Sequence, residues 1–169
     1  MLGDILGEQL DVVFCGTAVA TASANRGHYY AGRGNEFWQL LHRAGFTATQ
    51  LGPDDDTTLP SLGIGLTDLV KGVAQSHDRG LDFSTARDLE HRLAASEPRW
   101  VGFTSLKAGS EAARAFGEPK LRHGERSWRI GGARALYFPA PAALHATPRH
   151  GMASRPSLPG GQGFSKRPR

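Results

Sequence analysis

The 169-residue chain has little sulfur, with one cysteine and two methionines. With Cys15 alone no internal disulfide can form, which fits a reducing compartment. The seven histidines are scattered, and no Cys/His pairs stand at zinc-ligand spacing, so a metal site is not expected; no cofactor is expected either. Nowhere do eighteen apolar residues run together, and the first residues lack the basic and apolar regions of a secretion signal. A soluble, cytoplasmic protein without membrane contact is expected. No G-x-G-x-x-G or P-loop pattern is present. That absence weakens the reading of a nucleotide-handling enzyme acting on small substrates.

Acidic residues are missing from the last quarter of the chain. Residues 1–125 carry 12 Lys/Arg against 16 Asp/Glu, a net of −4. Residues 126–169 carry 8 Lys/Arg and no acid, a net of +8. A basic region of this kind suits a phosphate backbone, and a basic tail unrelated to function is the competing reading. From Pro148 onward Pro, Gly, Ser and basic residues dominate and no amphipathic period survives. Residues 1–148 are therefore expected to form one domain, followed by a basic Pro/Gly-rich segment over 149–169.

The most informative stretch runs from Val12 to Trp38. Val12-Val13-Phe14-Cys15 reads as a buried strand of a parallel sheet. It breaks into small residues, Gly16, Ala18, Ala20, Ala22, Ser23, Ala24 and Gly27, over which a ligand can approach the backbone. Tyr29 and Tyr30 follow, and apolar positions 37, 38, 40, 41 and 44 mark a helix from about Asn35 to Ala44. Phe37 and Trp38 are expected to pack that helix on the sheet.

Further on, Asp54-Asp55-Asp56 reads as a solvated acidic turn or helix start between Pro53 and Pro60. Leu62 to Leu66 is a strand candidate, with Asp68 just past its end. Residues 71–80 read as a polar connection. Ser84 is expected to cap a helix reaching about Ser96, and Ser105 a helix from the strand Trp100–Thr104 to about Phe116. Two strands around Gly131-Gly132 suggest a hairpin. Strands alternate with helices, which predicts a three-layer α/β/α sandwich on a mostly parallel sheet.

VVFCG, the small-residue loop and N-x-F-W-x-x-L-x-x-A-G-F together resemble the opening of the mismatch-specific uracil-DNA glycosylases. These are bacterial relatives of thymine-DNA glycosylase within the uracil-DNA glycosylase superfamily. Gly65-Leu66-Thr67-Asp68-Leu69-Val70 resembles the family's next landmark, and Phe138-Pro139-Ala140-Pro141-Ala142-Ala143-Leu144 stands where its second active-site motif belongs. The resemblance covers residues 10 to 147 and implies a monofunctional, monomeric DNA-repair enzyme. Its partner would be double-stranded DNA with U·G or related mispairs, from which it would flip out uracil or another damaged pyrimidine.

The resemblance also implies a set of site residues. Tyr30 would stack on the flipped base, with Thr17, Ala18 and Ser23 lining its pocket. Leu144, flanked by Ala143 and His145, would fill the hole left in the duplex. A packed core tyrosine and an ordinary surface leucine are the plain alternatives. The family's water-positioning asparagine is replaced by Ala18, and its second motif by Ala140-Pro141-Ala142. Asp68 is the expected replacement, as a carboxylate that orients water and stabilises the sugar cation, against the alternative of a helix N-cap. His28 and His145 are the runners-up. Lys71 and Lys107 are read as solvated rather than as Schiff-base lysines. Excision competes with a catalytically degenerate protein that binds mismatches or lesions without cutting.

Overall fold

The computed structural model describes residues 2–119 and 125–138, and for residues 125–127 the backbone only. Among the described residues five strands form one sheet: β1 (Val12–Gly16), β2 (Ile64–Asp68), β3 (Trp100–Phe103), β4 (Glu125–Ile130) and β5 (Ala133–Tyr137). Their spatial order is β2-β1-β3-β5-β4, parallel except for the antiparallel β4–β5 hairpin at one edge. At the opposite edge Ile5 bridges Leu66 in the antiparallel sense, so the first residues add to the sheet.

β1 is buried at every position because it is central and covered on both faces. One face packs Val13, Cys15, Val101 and Phe103 under α3 (Asp88–Leu93) and α4 (Leu106–Phe116). The other packs Val12, Phe14 and Leu66 under α2 (Phe37–Arg43) and the 3₁₀ helix Pro53–Leu62. Phe14 meets Phe37, Phe46 and Phe138 at ring centroids of 5.5, 5.2 and 4.5 Å, so aromatic packing fixes α2 on the sheet. The result is the expected three-layer sandwich. No helix among the described residues is long and apolar enough to cross a membrane.

Several local expectations are corrected. The loop after β1 carries a short helix, α1 (Thr21–Arg26), ahead of the tyrosines. Ser84 caps no helix: its N–H donates to Asp82 Oδ1, and the helix starts only at Asp88. The acidic turn is not simply solvated, since Asp56 is 1% exposed. Ser105 does cap α4, accepting from the Ala108 N–H at 3.0 Å.

Candidate active site

β1 and β2 run parallel with Gly16 opposite Asp68, so both strands deliver their C-terminal residues to one rim of the sheet. That rim is where open α/β sheets bind ligands. A cavity of about 190 Å³ opens there, lined among others by Thr17, Ala18, Ser23, Tyr30, Asp68 and Thr104. The fold thus brings together all the described residues expected to form the site. Ala143, Leu144 and His145 lie outside the described residues.

Asp68 is the last residue of β2 and is 3% exposed. It caps no helix: the next two N–H groups, of Leu69 and Val70, donate to the carbonyls of Gly16 and Thr17, extending the pairing beyond the strand. Among the described residues its Oδ2 has no hydrogen-bond partner. Burial pushes its pKa up to about 6, against the pull of Lys71, a Tyr29 hydrogen bond and Arg92, with Asp4 adding to the rise. Behind Asp68, Asp4 binds Lys71 Nζ at 2.7 Å and Arg92 Nη1 at 2.9 Å, while Arg92 Nη2 donates to the Asp68 carbonyl at 2.8 Å. Lys71 Nζ also donates to the Tyr29 hydroxyl at 3.1 Å. The cations are thus committed to a network beside the carboxylate, which leaves it titratable near neutrality.

Tyr30 has φ +52°, a left-handed conformation that costs a tyrosine about 1–2 kcal/mol. The backbone on either side holds it there. The Tyr29 N–H donates to the buried Asp56 carboxylate at 2.9 Å, and the Ala31 N–H to Ser23 Oγ at 3.0 Å. Arg26 Nη1 donates to the Ala31 carbonyl at 3.0 Å. So α1 exists in the loop to present Ser23 and Arg26 to this turn. Phe37 stacks on the Tyr30 ring at a centroid distance of 3.9 Å, and the Tyr30 hydroxyl donates to Thr104 Oγ1 at 3.4 Å. The ring is therefore packed against Phe37 and also lines the cavity.

His28 faces Asp56, 3.1 Å from its Nδ1, and does not line the cavity. Lys107 pairs with Glu111 on α4, and Lys71 with Asp4; neither lines the cavity. Several residues that do line it were not expected from sequence to form the site, among them Asn35, Asp78, Thr104 and Ser105. Asn35 was read as a helix start and as the first residue of the N-x-F-W motif, and Asp78 only as part of a polar connection. Nothing around Asp78 in the sequence distinguished it, because only the fold brings it to the rim, where the Thr17 hydroxyl, 61 residues earlier, donates to its carboxylate.

The architecture is shared with known proteins. The structure resembles the solution NMR structure of a uracil DNA glycosylase candidate from Methanosarcina acetivorans, with a TM-score of 0.50 and 21% identity, covering 82% of this chain and 81% of that one. Such a likeness speaks for the fold. Residues 4–155 match the uracil DNA glycosylase superfamily. The match spans nearly the whole chain, and with the strand-end cavity it leads to one conclusion: the chain belongs to the uracil DNA glycosylase superfamily.

Proposed function

We propose that the chain is a monofunctional DNA glycosylase of the mismatch-specific type, hydrolysing the N-glycosidic bond of uracil in U·G mispairs and leaving an abasic site. The observation that carries this reading is Asp68: a buried carboxylate with one oxygen unpartnered among the described residues and a pKa of about 6, in the cavity that Tyr30 also lines. In the reaction the bond from C1′ to the base nitrogen breaks and its electron pair leaves with the base. The sugar becomes oxocarbenium-like, and ionised Asp68 stabilises that charge across a poorly solvated gap. Water adds its oxygen to C1′ and gives up a proton, which Asp68 is placed to accept. Tyr30 offers the flipped base an aromatic surface. Residues 1–148 would form the catalytic domain, and the basic segment 149–169 would add phosphate contacts of the kind that raise affinity without reading sequence.

A second reading has its own observation. Ala18, which offers no polar side-chain atom, lines the cavity where the family places its asparagine, as it would in a protein that reads mispairs without cutting. Single-turnover excision from a duplex with one U·G pair separates the two. Wild type is expected to generate alkali-labile sites, and Asp68→Asn to do so at least about a hundredfold more slowly, roughly 2.7 kcal/mol of barrier. A wild type that binds the mispair but never cuts it would establish the second reading.

A further inference from the structure

The segment after β2 brings a second carboxylate to the cavity. Val19 and Ala74 form a parallel bridge, and the Gln75 N–H donates to the Val19 carbonyl at 3.0 Å. The Gln75 side-chain amide then donates to the carbonyls of His77 at 2.6 Å and Arg79 at 3.1 Å. The turn closed in this way presents Asp78, whose Oδ1 accepts from the Thr17 hydroxyl at 2.6 Å. Among the described residues, Oδ2 of Asp78 meets no hydrogen-bond donor, although the residue lines the cavity together with Tyr30, Asn35 and Asp68.

An ionised carboxylate only accepts hydrogen bonds. Asn35 supplies the opposite character: its Oδ1 accepts from the Phe37 N–H at 2.9 Å, which leaves the amide NH₂ to donate. Acceptor and donor in one small cavity match a ring N–H beside a carbonyl, the lactam edge of uracil. Cytosine presents a ring lone pair at the same position, and a lone pair facing a carboxylate puts two acceptors together with no proton between them.

We propose that Asp78 is a specificity-determining residue, its free carboxylate oxygen accepting the ring N–H of a lactam base and disfavouring cytosine. The proposal rests on the glycosylase reading for the identity of the ligand, and it names the group that reads the base.

The competing role for Asp78 is to tie its turn to Thr17. Asp78→Asn keeps an oxygen for Thr17 and turns the other acceptor into a donor, so it separates the two roles. Wild type, Asp78→Asn and Asp78→Ala would be compared in single-turnover excision from duplexes with uracil, or with 3-deazauracil (C–H replacing the ring N–H), opposite guanine. Binding of U·G and C·G duplexes and thermal unfolding would be measured alongside. On uracil, Asp78→Asn is expected to be roughly tenfold to a hundredfold slower than wild type with unchanged melting. On 3-deazauracil wild type and variant should agree within about twofold, since the interaction being tested is absent there. The preference for U·G over C·G in binding should narrow in both variants. An equal loss on both bases, or uracil excision within about twofold of wild type, would overturn the proposal. Should wild type cut neither base, the glycosylase reading fails, and the binding preference alone decides: narrowed by Asp78→Asn it upholds base reading, unchanged it overturns it.

Discussion

The Asp68 carboxylate lies directly over Gly16, its partner across the parallel β1–β2 ladder. A β-carbon at position 16 would come within 2.4 Å of Asp68 Oδ1 and 3.6 Å of the Tyr30 hydroxyl. The glycine that ends the first strand therefore creates the space in which the carboxylate sits.

Gly16→Ala is expected to displace that carboxylate, costing about 1–3 kcal/mol of stability as an overpacked site and most of any excision rate. Urea unfolding and single-turnover excision check this. Normal activity in the alanine variant would mean that the carboxylate position is not needed.

Asp68 should also set a pH dependence of stability. Its folded pKa, about 6, lies above the ordinary 3.8. Between those values the folded protein binds more protons than the unfolded chain, so this contribution is full below pH 3.8 and is lost as pH rises through about 6. Above that window the ionised form costs about 3 kcal/mol. Asp68→Asn is therefore expected to melt above wild type at pH 8, with the gap closing by pH 4. A gap independent of pH would show that Asp68 is not the group responsible.

If the ionised form does the chemistry, kcat/KM for uracil excision should rise with pH through about 6 and then level off. Lys71→Met removes a cation that favours ionised Asp68 and should move the rise to higher pH. An unmoved profile would uncouple the Asp4–Lys71–Arg92 network from the reaction.

Asp56 tests the clamp around Tyr30. Asp56→Ala leaves the buried Tyr29 N–H without its acceptor, at an expected cost of about 1–3 kcal/mol. Excision should fall as well, because Tyr30 loses one of the restraints on its left-handed backbone. Unfolding and excision measured on the same preparation show whether both effects occur.

Much of this protein was legible in local pattern. The apolar run ending in Gly16, the stripe of Phe37, Trp38 and Leu41 and the cap at Ser105 depend on neighbours a few residues away, and they placed β1, α2 and α4. The alternation of strands and helices pointed to the three-layer sheet, and the quoted motifs to the superfamily. Tertiary structure decided what no local pattern encodes. Asp56 reads as a solvated acid until the fold places it under the Tyr29 N–H, 27 residues away. Asp78 reads as a polar loop residue until Thr17, 61 residues earlier, receives it at the rim. Asp68 is a plain strand-end carboxylate in the sequence, and it becomes titratable near neutrality only because neighbouring strands and aromatics remove it from water. Periodicity reports which face of an element is buried, whereas the charge state and partners of a polar group depend on chain segments that meet only in the folded protein.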